Sequence, residues 1–278
     1  MRIGVGLPNT VPSTAGPLMF DWARRADTGP FTSLGVLDRI LYDSYEPMIT
    51  LAAAAGVTNR VRLVTMVVIS PWRNTAILAK EAATINALSG GRLTLGLALG
   101  ARTDDYEAAG VDQRGRGVRM SKQLQALRAH WNNDAIGPKS GAPELLVGGS
   151  SDQAFARMAR YADGYAHGGG PPKVFAKAAG KARAAWTHAG RSDQPRLWGQ
   201  CYFALGDVEA GTAYMKDYYA FTGPFAERLA SGLLTTPEAI ADTIRGYAAE
   251  GCDELVFLPT VPDLAQLDRL ADVVSRVQ

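Results

Sequence analysis

Eight apolar runs of strand length, separated by amphipathic stretches, constrain this chain more than any other feature of its sequence. Such alternation predicts βα units and a parallel sheet, because strands that are buried on both faces carry continuous apolar side chains. The run VRLVTMVVI at 61–69 comes close to this pattern, and the run LTLGLAL at 93–99 carries Gly96 where a strand packs tightly. The predicted strands are residues 2–7, 33–38, 61–69, 93–99, 144–147, 164–167, 197–205 and 254–258.

The stretches between these runs carry apolar stripes at helical spacing, such as Leu78, Ala82 and Ile85 after the third strand. Eight strands, each followed by a helix, give the count of a (β/α)8 TIM barrel in the α/β class. We expect one domain over 1–278, since closed barrels occupy about 250 residues as one unit. A doubly wound sheet is the alternative, but no GxGxxG follows any predicted strand and no GxxxxGK[ST] occurs.

Charge and hydropathy exclude several classes of partner. The net charge is +2, from 29 basic and 27 acidic residues, and no Lys/Arg stripe is interleaved with aromatic residues, so we expect no nucleic-acid partner. No run of about 18 apolar residues occurs and the first residues do not resemble a signal peptide, so we expect a cytoplasmic protein without a membrane partner. No His/Asp/Glu spacing indicates a metal site.

One stretch carries a family resemblance. Residues 79–96, AKEAATINALSGGRLTLG, are similar to the AKxAATLDxLSGGRLxLG segment of the luciferase-like monooxygenase family, also called flavin-dependent luciferase-like oxidoreductases. Supporting segments follow in the same order along almost the whole chain, at 38–39, 51–63, 147–150, 160–165 and 248–253. The resemblance implies a luciferase-like (β/α)8 barrel, commonly a homodimer, with FMN or the deazaflavin coenzyme F420 bound across the C-terminal ends of the strands.

The same resemblance assigns residues to the flavin ring. Relatives place a non-prolyl cis peptide at the end of the third strand, where it backs the isoalloxazine ring, and by position this bond is Met66–Val67. An ordinary buried strand is the alternative there. Asp38, at the end of the second strand, and Asp104, after the fourth, are further predicted cofactor-binding residues.

Two glycine turns are predicted to bind the flavin phosphate. Backbone N–H groups at a helix N-terminus bind phosphate without a net positive patch, and glycine permits the close approach. The turns follow consecutive strands and comprise Gly148, Gly149 and Ser150, and Gly168, Gly169 and Gly170. Barrel turns that need glycine only for positive φ are the alternative.

Arg39 and His167 are the predicted catalytic residues. Relatives often carry a histidine where Arg39 stands, so a histidine acid/base mechanism is not expected at that position. A guanidinium stays protonated and could anchor an anionic substrate or stabilise negative charge, whereas a structural pair with Asp38 or with another residue is the alternative. His167 ends the sixth strand and could act as a general acid or base or bind substrate, with a buried structural histidine as the alternative.

Side chains near the strand ends are predicted to form the substrate pocket, although core packing explains any single aromatic residue equally well. In some deazaflavin dehydrogenase relatives a glutamate near position 101 supplies a proton, and this chain has Ala101. The predicted pocket residues are Tyr42, Trp72, Arg102, Tyr106 and Trp198.

The sequence thus favours an FMN-dependent oxidoreductase of the luciferase-like monooxygenase type, acting on a small organic molecule with oxygen and with reduced flavin from a separate flavin reductase. A coenzyme F420-dependent reductase or dehydrogenase is the first alternative. A non-catalytic flavin-binding protein and a flavin-free barrel that acts on a sugar phosphate are alternatives of other classes. The resemblance also predicts a homodimer.

Overall fold

The computed structural model describes residues 1–133 and 135–277, which form a closed ring of eight parallel strands with helices on its outside. The strands are β1 (Arg2–Gly6), β2 (Ser33–Val36), β3 (Arg62–Thr65 and Val68–Ile69), β4 (Leu93–Ala98), β5 (Glu144–Gly148), β6 (Gly164–Ala166), β7 (Arg196–Phe203) and β8 (Glu254–Pro259). The barrel and all eight predicted strands are therefore confirmed, with shifts of one or two residues at most ends.

The third strand is interrupted. The peptide bond between Met66 and Val67 is cis, as the family resemblance predicted, and it separates the two segments of β3. Both segments pair with β4, with Leu63 opposite Leu93 and Val68 opposite Leu97, and this pairing closes the ring. The ordinary, uninterrupted strand that was the alternative at this position is not observed.

Helices follow the strands and cover the ring, and several begin at a residue that caps them. Ser151 accepts a hydrogen bond from the backbone of Ala154, and Thr236 precedes a first-turn proline and accepts from Ala239. The helices are α1 (Gly16–Thr28), α2 (Pro47–Ala55), α3 (Thr75–Leu88), α4 (Thr103–Ala108), α5 (Arg116–Asn132), α6 (Asp152–Tyr161), α7 (Pro172–His188), α8 (Val208–Tyr218), α9 (Phe225–Ala230), α10 (Pro237–Ala249) and α11 (Leu264–Val277).

The core has two layers because side chains of a strand alternate between the two faces of the ring. Val256 and Leu258 of β8 point into the barrel, where they pack with Val64 and Trp198, whereas Phe257 packs outward against the helices. Gly96 of β4 lies where a Cβ atom would meet the carbonyl oxygen of Thr65 at 2.2 Å. The tight packing predicted at this glycine is confirmed.

Paired charges close the end of the barrel where the strands begin. Glu254 is fully buried, accepts a hydrogen bond from Thr32 Oγ1 at 2.8 Å and lies 3.0 Å from Arg2 Nη2. Glu144 accepts from Thr94 Oγ1 at 2.7 Å and lies 3.5 Å from Arg62 Nη2. These contacts tie neighbouring strands together at their first residues. Within the described ranges no helix combines the length and hydropathy needed to cross a membrane.

Candidate active site

A cavity of about 150 Å³ lies at the opposite end, where the strands finish, and we call it the mouth cavity. A larger groove of about 840 Å³ runs along the outer surface between α6 and α7, away from the centre of the ring. Active sites of such barrels lie at the C-terminal ends of the strands, so the smaller cavity is the candidate site. Its lining residues are Leu37, Asp38, Met66, Val67, Ile69, Trp72, Gly100, Ala101, Arg102, Asp105, Gln200, Tyr202, Tyr218, Tyr219 and Phe221.

Asp38 lines this cavity and is held by two groups. Its carboxylate accepts from Arg73 Nη2 at 3.0 Å and from the backbone N–H of Ile69 at 2.8 Å. Burial raises the pKa of Asp38, and the charge of Arg73 opposes that rise. The carboxylate is therefore engaged by the protein itself, and Arg73 also pairs with Glu46 at 2.8 Å.

Arg39 stands behind the cavity wall and is not among the lining residues. Its guanidinium is 3.0 Å from Asp104 and 3.5 Å from Asp105, and its side chain is only 7% exposed. The rings of Tyr42 and Tyr218 lie 4.8 and 5.9 Å from its central carbon. The pair with Asp38 that was one alternative does not form, because α4 supplies the carboxylates instead.

Asp104 and Asp105 therefore play different parts in this network. Asp104 is half-exposed and contacts Arg39, whereas Asp105 is buried, lines the mouth cavity and accepts from the backbone N–H groups of Ile40 and Leu41. Asp105 was not a predicted site residue. Only its position next to Asp104 in the sequence could have suggested it.

His167 is buried beneath the second glycine turn. Neither ring nitrogen has a hydrogen-bond partner among the residues that the structure describes, and the ring packs 5.5 Å from Phe175 and 6.5 Å from Tyr247. Burial lowers the pKa of His167 to about 4, although the backbone of Gly169 opposes this shift. The imidazole is therefore neutral near pH 7, and it does not line the mouth cavity.

The first glycine turn leads directly into α6. The N–H groups from Gly149 to Gln153 donate to no other group within the described part of the chain, as expected for the first turn of a helix. Gly149 has a φ of 133°, and a Cβ atom there would lie 2.7 Å from the Cβ of Ala154. Exposed Asp152 pairs with Lys181 at 2.8 Å, which offsets its negative charge beside these donors.

The second glycine turn is more engaged with the barrel. The carbonyl of Gly168 accepts from Gln200 Nε2 at 3.2 Å, and that of Gly170 accepts from Tyr247 at 2.7 Å. Gly169 and Gly170 both have positive φ, which favours glycine. Two of its three glycines therefore fit the alternative in which the turn needs glycine for positive φ. The role of this turn in phosphate binding stays a prediction.

The predicted pocket residues separate into two groups. Trp72 and Arg102 line the mouth cavity, whereas Tyr42 donates to Asp217 and Tyr106 donates to the carbonyl of Leu99 behind it. Burial raises the pKa of Tyr106 to about 12. Trp198 is fully buried inside the barrel and does not reach the cavity, because it lies near the start of β7.

A segment that the sequence analysis missed covers the cavity. Tyr218 ends α8, Tyr219 and Phe221 follow it, and the three rings pack around Arg102, which donates to the carbonyl of Tyr218 at 2.6 Å. Tyr202 of β7 contacts Tyr219 through their hydroxyls at 2.9 Å. The available signal was the aromatic run at 218–221 within an interval between strands that exceeds the length of one helix.

Comparison with known proteins gives a consistent picture. The sequence model of the family described as luciferase-like monooxygenase matches residues 1–251. An uncharacterised protein of Mycobacterium bovis is 34% identical over 143 residues, which cover 46% of this chain and 49% of that protein. The oxygenase component of a flavin-dependent trigonelline monooxygenase from Acinetobacter baylyi is 36% identical over 90 residues, covering 32% of this chain and 25% of that protein. The matches thus span about half, or less, of these curated relatives.

Solved structures share the fold at low sequence identity. An F420-dependent secondary alcohol dehydrogenase in complex with an F420–acetone adduct superimposes with a TM-score of 0.83 and 15% identity, covering 100% of this chain and 99% of that chain. The oxygenating constituent of 3,6-diketocamphane monooxygenase from Pseudomonas putida, in complex with FMN, gives a TM-score of 0.76 and 15% identity, covering 99% and 97%. At these identities the likeness concerns the fold alone.

Proposed function

The chain belongs to the luciferase-like monooxygenase family and is an enzyme, and on this basis we propose that it uses reduced FMN and oxygen to oxidise a small organic substrate. The observation that carries the proposal is the pairing of the mouth cavity with a donor-rich glycine turn at the same end of the barrel. The turn suits a phosphate and the cavity suits a small planar group.

The first glycine turn fits the FMN phosphate. Its N–H groups from Gly149 to Gln153 have no acceptor among the described residues and would donate to an anion. The helix dipole of α6 favours negative charge at the same place. A side chain at position 149 would collide with Ala154 and fill the cradle. These residues would hold the phosphate, while Met66 and Val67 in the cavity wall would contact the flavin ring.

FMN over F420 is favoured by the residue at position 101. The resemblance places a glutamate near this position in some deazaflavin dehydrogenases, and here Ala101 lines the mouth cavity without a titratable group. The two carboxylates of the cavity, Asp38 and Asp105, are held by arginines and backbone N–H groups. When bound, reduced FMN supplies the electrons that activate oxygen, and a separate flavin reductase would regenerate it.

The protein's own contribution is to orient ligands and exclude water. The aromatic segment at 218–221 lines one side of the mouth cavity, so it would shield that side of a bound ligand from solvent. Arg39 fixes Asp105 in the wall and acts as a positioning residue. Neutral His167 lies under the second glycine turn and outside the lining of the mouth cavity, so it would act as a positioning residue for that turn.

Titration of the purified chain with FMN, riboflavin and F420, followed by flavin fluorescence, tests the proposal. We expect FMN to bind at least about tenfold more tightly than riboflavin, because only FMN carries the phosphate. Gly149→Ala should remove this preference, whereas Gly180→Ala, where nothing lies within 4 Å, should keep it. Binding of F420 alone would overturn the choice of FMN, and binding of no flavin would overturn the function.

Oxidation of reduced FMN in the presence of the protein tests the two predicted catalytic residues. Arg39→Ala and His167→Ala should each lower turnover more than they lower FMN affinity, because both groups act on placement within the site. A loss below about threefold, or ~0.7 kcal/mol, in both variants would remove them from the mechanism.

A further inference from the structure

We propose that the mouth cavity binds the carboxylate of a flat, unsaturated or aromatic substrate, and that Arg102 is the residue that anchors it. This proposal names the substrate class of the monooxygenase proposed above and therefore rests on that function. Its physical basis is a buried guanidinium that the protein itself leaves partly unpaired.

Arg102 is the exception among the arginines around the cavity. The residue is only 8% exposed, its Nη2 donates to the Tyr218 carbonyl, and its Nη1 has no hydrogen-bond partner. Within residues 1–133 and 135–277 no carboxylate lies within ion-pair distance of it, whereas Arg39 and Arg73 each contact two carboxylates. A buried cation without a counter-ion is costly, so an anionic ligand would be stabilised there.

Aromatic rings compensate for only part of this cost. The central carbon of Arg102 lies 4.0 Å from the ring centre of Phe221 and 4.5 Å from that of Tyr218. Ring faces attract the cation but do not accept its in-plane N–H groups as a carboxylate does. Arg102, which lines the cavity, therefore keeps an Nη1 group without an acceptor.

The negative charges of the cavity are already balanced. Asp38 is paired with Arg73, and Asp105 is paired with Arg39 and accepts two backbone N–H groups. Arg102 is then the charge left for a ligand. A carboxylate matches it best, because two oxygens can face two guanidinium nitrogens in one plane.

The volume and the aromatic lining of the mouth cavity favour a ligand in which the carboxylate is attached to a flat ring or chain. A cavity of about 150 Å³ is comparable to one that binds benzene in another protein, so one small ring fills it and the flavin ring would lie at its open edge, beside Met66 and Val67. Trp72, Tyr218 and Phe221 supply aromatic faces, and Gln200 Oε1 has no donor and lines the same space. An O–H or N–H group on the ligand would satisfy that oxygen.

Calorimetric titration with benzoate and with benzamide, its neutral isostere, tests the proposal on the full chain. We expect benzoate to bind about tenfold more tightly than benzamide or better, and Arg102→Gln to abolish the difference by weakening benzoate alone. Arg102→Lys, which keeps the charge but not the fork, should retain part of the selectivity. Arg24→Gln, at an exposed arginine of α1, is the control and should change neither affinity.

Three results would overturn the proposal: no benzoate binding to the native chain, equal binding of both probes, or unchanged benzoate affinity in Arg102→Gln. If Arg102→Gln fails to fold, the titration of the native chain and of Arg102→Lys still decides between these outcomes.

Repeating the titrations with FMN separates this proposal from the function on which it rests. Loss of FMN affinity with intact benzoate selectivity in Arg102→Gln would assign Arg102 to the cofactor and overturn the anion site while the flavin function stands. Selective benzoate binding by a chain that binds no flavin would support the anion site and overturn the flavin function.

Discussion

The two ends of the barrel differ in how completely their ionisable side chains are paired. Where the strands begin, buried Glu254 and half-buried Glu144 meet arginines and threonine hydroxyls from neighbouring strands. Where the strands end, His167 and Arg102 keep buried nitrogens without a partner among the described residues. The ionisable groups of the first end are thus paired within the protein, although Ser33 Oγ and Trp198 Nε1 have no hydrogen-bond partner among the described residues. The other end holds ionisable groups that a ligand would satisfy, as expected if stability and function lie at opposite faces.

The largest expected effect is at the end of the barrel where the strands begin, which we call the closed end. It concerns Gly164, the first residue of β6. A Cβ atom there would lie 2.1 Å from the carbonyl oxygen of Arg196 and 2.6 Å from the Cβ of that residue. Because backbone atoms cannot move aside, Gly164→Ala should lower the free energy of unfolding by about 3 kcal/mol or more. Urea denaturation followed by tryptophan fluorescence measures this loss.

A glycine at the opposite end, where the strands finish and which we call the open end, provides the matched control for this substitution. Gly168 has nothing within 4 Å of the added atom, so Gly168→Ala should change the free energy of unfolding by less than about 0.5 kcal/mol. Equal losses at Gly164 and Gly168 would mean that contact with the added methyl group does not set the cost at these two positions.

The next effect separates paired from unpaired arginines within the open end. Arg73→Met leaves the carboxylate of Asp38 buried without its counter-charge and should cost about 3 kcal/mol. Arg102→Met leaves no carboxylate without its counter-charge and removes one hydrogen bond to the Tyr218 carbonyl. We therefore expect the free energy of unfolding to fall by about 1 kcal/mol. Urea denaturation of both variants gives the comparison, and an equal or larger loss for Arg102→Met would show that Arg102 has a structural counter-ion.

Local patterns in the sequence predicted the ring well, and long-range pairing at the open end was beyond them. Continuous apolar runs identify buried strands because a strand that is buried on both faces needs apolar side chains along its whole length. The partners of Arg39 are 65 and 66 residues away on α4, whereas its sequence neighbour Asp38 pairs with Arg73. These ion pairs depend on how the loops fold over the ring, and the periodicity of apolar residues carries no information about them.

The same limit explains two site residues. Trp198 was grouped with the pocket because it is aromatic and lies on β7, but its position along the strand places it deep inside the barrel. Phe221 was overlooked because the cover of the mouth cavity follows a helix rather than a strand. Strand identity was readable from the sequence, whereas depth along the strand and the path of a covering segment were not.

The smallest of the three effects concerns His167 and acid stability. Burial lowers the pKa of His167 to about 4 from an ordinary value of 6.5, so the unfolded chain binds a proton between these values that the folded protein excludes. The free energy of unfolding should therefore be highest above about pH 6.5 and should fall, by about 2 kcal/mol from this group, between about pH 7 and about pH 4.5.

His167→Phe removes the titrating group and keeps an aromatic ring against Phe175. The difference in unfolding free energy between the native chain and this variant should shrink or reverse by about 2 kcal/mol from about pH 7 to about pH 4.5, because other acid-sensitive groups contribute equally to both. Parallel curves would mean that water or a backbone group pairs with the imidazole in solution. In that case the contrast between the two ends would rest on Arg102, whose Nη1 has no partner within the described residues.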